Sequence, residues 1–116
     1  MNFKLIMVMV EDGRTAAVMD AARARGATGA TVITSVRGEG LRPEKTFLGL
    51  DLTAARDVIL FLVAAPRARE ILEAIGKAGK FDEDPGSGIA LQIEIEDAVG
   101  LKSQLATLQH EIEEEL

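Results

Sequence analysis

Two six-residue runs in this chain, Leu5-Ile6-Met7-Val8-Met9-Val10 and Val58-Ile59-Leu60-Phe61-Leu62-Val63, are apolar at every position. They read as β-strands, and successive strand residues point to opposite faces of a sheet. Both strands therefore need apolar cover above and below. Two helices of a small domain can cover one side. The other side then calls for a second chain, so an oligomer is expected before any ligand is considered.

At 116 residues the chain is sized for one domain with a real core. Its only aromatics are four Phe, so the core must be aliphatic and stacking platforms for single-stranded nucleic acid are scarce. With 13 basic against 19 acidic residues, the net charge of -6 argues against direct binding to a phosphate backbone. The absence of cysteine excludes disulfides and thiolate metal sites. Residues 1–10 are apolar, yet Lys4 lies inside the run and Glu11-Asp12-Gly13 follows, unlike a secretory signal. No stretch approaches the roughly 20 apolar residues of a membrane-spanning helix. The expectation is a cytoplasmic protein that begins with a buried strand.

Residues 15–25 are Ala-rich and free of Pro and Gly, which predicts a helix ended by Gly26. Val18, Ala21, Ala22 and Arg25 recur on one face, with the Arg25 stem expected along the sheet. A strand is expected over 30–37, then a polar stretch with Gly and Pro, then the second doubly apolar strand at about 57–64. Pro66 suits the first turn of another helix, carrying Ala68, Ile71, Leu72 and Ile75 at helical spacing and ended by Gly79. After a loop at 80–87, residues 88–96 alternate Leu91, Ile93 and Ile95 with Gln92, Glu94 and Glu96, as an edge strand with one wet face does. The order β-α-β-β-α-β is the ferredoxin-like split βαβ arrangement, an α+β sandwich with an antiparallel sheet. Its central pair, strands one and three, are the two doubly apolar runs, so pattern and topology agree.

Residues 101–116 place Leu101, Leu105, Leu108, Ile112 and Leu116 on one stripe. This predicts a C-terminal helix packed on the body or on a neighbouring subunit, too short for a free coiled coil. Glu111, Glu113, Glu114 and Glu115 sit at the negative end of its dipole, so the last turn should fray.

Nothing here assembles a catalytic constellation, and the chain is not expected to be an enzyme. His110 is a lone residue on the outer side of the last helix, and Ser35, Ser87 and Ser103 have no nearby His to activate them. Glu11/Asp12 and Glu94/Glu96 read as solvated acids. Two glycine-bearing loops remain: Val36-Arg37-Gly38-Glu39-Gly40 and Gly79-Lys80-Phe81-Asp82-Glu83-Asp84-Pro85-Gly86-Ser87-Gly88. Glycines punctuate ordinary turns, and they also let backbone N–H groups approach an anion closely.

In this topology the two loops resemble those of the PII signal-transduction family. Gly29-Ala30-Thr31-Val32, followed by Val36-Arg37-Gly38-Glu39-Gly40, is similar to the end of that family's second strand and the start of its T-loop. Gly79-Lys80-Phe81 with Gly86-Ser87-Gly88 is similar to its B-loop, whose pattern is Gly-Lys-Ile-Gly-Asp-Gly-Lys. The resemblance implies a PII-like ferredoxin-fold domain over 1–100, with a T-loop at about 38–56 and a B-loop at about 79–88, followed by the helix at 101–116. It further implies a homotrimer that binds an adenine nucleotide (ATP, ADP or AMP) in clefts between subunits and signals to a partner protein, such as a membrane transporter, through the T-loop. By position, the ligand contacts would fall on Thr31, Arg37, Gly38, Glu39, Gly40, Phe81, Gly86, Ser87 and Gly88, with Lys102 as a basic partner. No metal is expected.

The departures bear on the ligand. Arg42 stands near the family's T-loop Gln, Ile89 at its B-loop Lys, and Gly100 at one of two C-terminal arginines; the modified T-loop Tyr cannot exist. Asp82-Glu83-Asp84 are inserted where a triphosphate would lie and would repel it. A less charged adenine nucleotide, or another small anion, fits better than ATP with 2-oxoglutarate. Two alternatives stand beside this reading. One is a CutA-like divalent-metal-responsive trimer, with Asp82-Glu83-Asp84, Glu39 and His110 as ligands for a hard cation; the other is an assembly module built on the C-terminal stripe. The segment Phe47-Leu48-Gly49-Leu50-Asp51-Leu52 is either a partner contact or a strand extension that turns at 53–56 into the next strand.

Overall fold

The computed structural model describes residues 2–36, 46–47, 50–51 and 55–101, with 46–47 and 50–51 as backbone. Strand β1 (Phe3–Glu11) leads through a single 3₁₀ turn into helix α1 (Thr15–Ala24) and then β2 (Thr31–Val36). Two short strands, β3 (Thr46–Phe47) and β4 (Leu50–Asp51), precede β5 (Arg56–Ala64), α2 (Ala65–Gly79) and β6 (Gly88–Glu94). The main sheet has the order β2-β5-β1-β6, and every neighbouring pair is antiparallel. The doubly apolar β1 and β5 are thus its central strands, in unbroken register from Phe3↔Ala64 to Glu11↔Arg56.

Both helices cover one face of the sheet. Ile6, Val8, Val10, Ile59 and Phe61 interlock there with Val18 and Ala22 of α1 and Ala68, Ile71 and Ile75 of α2. The core is aliphatic apart from Phe3 and Phe61, with Phe81 packed against it. Pro66 sits in the first turn of α2, where its missing N–H has no helical partner to lose.

The other face carries no element of this chain among the described residues. Leu5, Met7 and Met9 of β1 and Val58, Leu60 and Leu62 of β5 are only half-buried on it. Towards the edges, Ile33 is 47%, Leu91 41% and Ile93 37% exposed. Strand β6 alternates as expected, but the side of its wet face is a finding. Leu91 pairs with Met7 and Ile93 with Leu5, which sets the apolar stripe on the open face. Gln92 lies opposite the buried Ile6, so the polar side of β6 looks toward the helix layer.

Two local expectations change. Arg25 does not lie along the sheet: it is exposed, and its Nη1 reaches Glu70 Oε1 of α2 at 3.2 Å. Among the described residues, the segment around Phe47 does not pair with β5. Instead Thr46 pairs with Asp51 and Phe47 with Leu50, as a two-stranded sheet of their own. Strand β2 ends on a register shift between Ile33 and Val36, with Ser35 at a φ of 58°. Of the C-terminal stripe only Leu101 is described, half-buried; the rest of it and His110 lie outside the described residues. Among those described, no helix is long and apolar enough to cross a membrane.

Candidate functional site

The loop after α2 begins with a helix end of defined geometry. Lys80 adopts the left-handed conformation, with φ 55° and ψ 41°. Its N–H donates to the Lys77 carbonyl at 3.2 Å, and the Phe81 N–H to the Gly76 carbonyl at 3.0 Å. This is the Schellman pattern, with a lysine where glycine is commonest. The helix ends at Gly79 as expected, but the left-handed cap is its neighbour Lys80. Gly79 and Gly88 serve the Phe81 ring instead: a Cβ on either would collide with it, and at Gly88 would also come within 2.8 Å of the Met9 carbonyl oxygen. Gly86, at φ 80°, is the glycine that the turn itself requires.

The loop is then closed on itself. The Asp84 N–H donates to the Lys80 carbonyl at 2.9 Å and the Ser87 N–H to the Asp84 carbonyl at 3.1 Å. The buried Ser87 hydroxyl donates to the Lys80 carbonyl at 3.2 Å, and the Glu11 N–H ties the Ser87 carbonyl to the end of β1 at 3.1 Å.

Arg14, just ahead of α1, clamps this loop from the side. Its Nη1 donates to the Gly79 carbonyl at 2.7 Å, its Nε to Glu11 Oε2 at 3.2 Å, and its Nη2 to Asp84 Oδ2. The hydrogen bond to Asp84 holds the guanidinium's pKa above the usual arginine value; burial opposes the shift and Glu11 adds to it. The second oxygen of Glu11 faces Arg56 Nη1 at 3.5 Å, with Arg56 itself buried at the start of β5. Next to it, the buried Asp57 carboxylate accepts the Thr15 hydroxyl at 2.6 Å. Glu11 is thus no solvated loop acid; it joins two arginines across the ends of β1 and β5. The sequence reading missed Arg14, Arg56 and Asp57 as site residues, although the pair Arg56-Asp57 directly before an apolar strand is a visible signal for charge drawn into a strand end.

Of the expected contact residues, the structure gathers Phe81, Gly86, Ser87 and Gly88 at the β6 edge. Thr31 lies on β2, at the opposite edge, with β5 and β1 between. Three strand spacings put the two edges about 14 Å apart across the sheet. A single copy does not bring Thr31 to the loop. Arg37, Gly38, Glu39, Gly40 and Lys102 lie outside the described residues. Beside the loop, a groove of about 510 Å³ runs between α2 and β6, floored by Leu72, Phe81 and Ala90 and flanked by Lys77 and Lys80. Among the described residues no three His, Cys, Asp or Glu side chains converge as a metal site; of the acidic run, Asp84 is engaged by Arg14.

The four-stranded split βαβ domain, with one face left open and a closed, glycine-bearing loop at one edge, has the architecture of a regulatory protein family. The sequence matches the family model described as nitrogen regulatory protein P-II over residues 3–104, and the chain belongs to that family. Solved structures agree on the fold. CPII from Thiomonas intermedia K12, bound to ADP, AMP and acetate, superposes with a TM-score of 0.66 at 18% identity, covering 84% of this chain and 89% of that one. The apo form of CPII, a nitrogen regulatory PII-like protein, gives 0.63 at 17% identity, over 82% and 90% of the two chains. A functionally unknown protein from Pediococcus pentosaceus ATCC 25745 gives 0.61 at 19% identity, over 86% and 98%. No curated protein sequence matches.

Proposed function

We propose that this chain is a PII-like homotrimeric regulator that binds an adenine nucleotide between its subunits and passes the bound state to a partner protein. The observation that carries this reading is the separation of the expected contacts: Thr31 on one sheet edge, the 79–88 loop on the other. A ligand touching both needs the β2 edge of one copy beside the β6 edge of the next. The open apolar face supplies the reason for copies to associate, since leaving it in water forfeits its hydrophobic contribution. Within that cleft, Gly86 and Ser87 present the loop to the ligand, Phe81 and Gly88 shape its flank, and Arg37, Gly38, Glu39 and Gly40 enter from the T-loop base with Lys102 as a further cation. The partner contact is assigned to the T-loop, residues 38–56, including the β3–β4 pair.

Family membership and the nucleotides held by CPII support an adenine nucleotide as effector. The exposed Asp82 and Glu83 favour ADP or AMP over ATP. Calorimetry with ATP, ADP and AMP tests this directly. The expected result is saturable binding of ADP or AMP that is lost in Gly86→Val, a change that blocks the positive φ of the turn while leaving the sheet untouched. Undiminished binding in that variant would remove the loop from the site.

A further inference from the structure

We infer that Asp84 acts as an internal stand-in for an anionic ligand, held on Arg14 until a phosphate group takes its place. This rests on the nucleotide reading of the loop. The three contacts of the Arg14 guanidinium are unequal. Nη1 is fixed to a backbone carbonyl, Gly79, at the rigid end of α2, and Nε to the half-buried Glu11, itself facing Arg56. Only Nη2 points to a side chain on the outer part of the loop, and that side chain, Asp84, is 51% exposed. Of the three, this exposed contact is the one that another anion can reach and replace, because water already surrounds it and both side chains regain freedom on its release. Losing Asp84 leaves Arg14 oriented by its other two partners, with one N–H edge turned to the loop. Planar guanidinium edges of this kind suit phosphate oxygens as well as carboxylates.

The arrangement also answers a difficulty of the sequence. The 79–88 segment carries three acids and no basic residue where the family pattern has its second lysine, so the loop alone repels a phosphate. Arg14, brought in from the start of α1, neutralises one of the acids and brings a cation to the loop. Asp84 thus lowers affinity by competition and sets a threshold concentration that the ligand must reach.

The test is calorimetric titration of ADP, and of pyrophosphate as a probe without a base, into the wild type, Asp84→Asn, Arg14→Gln and the double variant. Hydrogen exchange at the Asp84 and Ser87 amides is followed in the same proteins. The expected result is about tenfold tighter binding of both probes in Asp84→Asn, weaker binding in Arg14→Gln, and no gain in the double variant. Exchange at the two amides should be faster in Arg14→Gln. ADP binding that is unchanged or weakened by Asp84→Asn overturns the stand-in role and leaves the nucleotide reading intact. Binding of neither probe by any of the four proteins overturns both, and unchanged exchange in Arg14→Gln overturns the clamp.

Discussion

The two faces of the sheet are made from the same strands and are equally oily, yet they end in different states. On the helix side Ile6, Val8, Val10 and Ile59 are fully buried, locked against α1 and α2. On the other side Leu5, Met7, Leu60 and Leu62 are shielded only by their neighbours in the sheet, and Leu91 and Ile93 extend the apolar surface to the β6 edge. The first face stabilises one copy by itself. The second contributes less to a lone copy and leaves apolar surface for the proposed assembly. Alternate positions of one strand can therefore carry the fold, leaving the positions between them for the proposed association.

Adjacent residues separate the two roles most sharply. Ile59→Asp places an unpaired carboxylate in the closed core, costing several kcal/mol and unfolding the domain, with loss of the far-ultraviolet circular dichroism signal. Leu60→Asp, one position along, leaves that signal and abolishes association in size-exclusion chromatography. If the two variants behave alike, the division between faces is wrong. Next in size, Phe61→Ala should cost ~3–5 kcal/mol in denaturant unfolding, the range for emptying a large buried site, and Leu60→Ala far less at concentrations where the protein is monomeric.

Gly88→Ala drives a methyl group into the Phe81 ring on the helix side of β6 and should cost about 1–3 kcal/mol, the usual range for overpacking. Part of that loss should return when Phe81 is replaced by Leu, and a strictly additive double variant would argue against the contact. The smallest effect is expected outside both faces: Glu70→Ala breaks the exposed pair with Arg25 and should change stability by less than about 1 kcal/mol.

The element order was legible because each strand and helix carries its own period: β1 and β5 apolar throughout, α2 at helical spacing. The identity of the central strands followed, since only central strands need two covers. The side on which β6 wets itself was not legible, because alternation defines two faces without saying which one meets the helices; only the pairing of Leu91 with Met7 decides it. The site was half legible. Glycine spacing marked the 79–88 loop, but two of those glycines make room for Phe81, a contact that no local pattern announces. The clamp escaped because Arg14 and Asp84 are 70 residues apart in sequence and meet only when α1 and α2 pack side by side.

Sedimentation equilibrium at micromolar concentration tests the central claim most directly, by weighing the species that the open face produces. The account predicts a single assembly at three times the 12.4 kDa chain mass, which falls to one chain mass in Leu60→Asp. A well-behaved wild-type monomer would mean that the oily face is stable in water, and would contradict it.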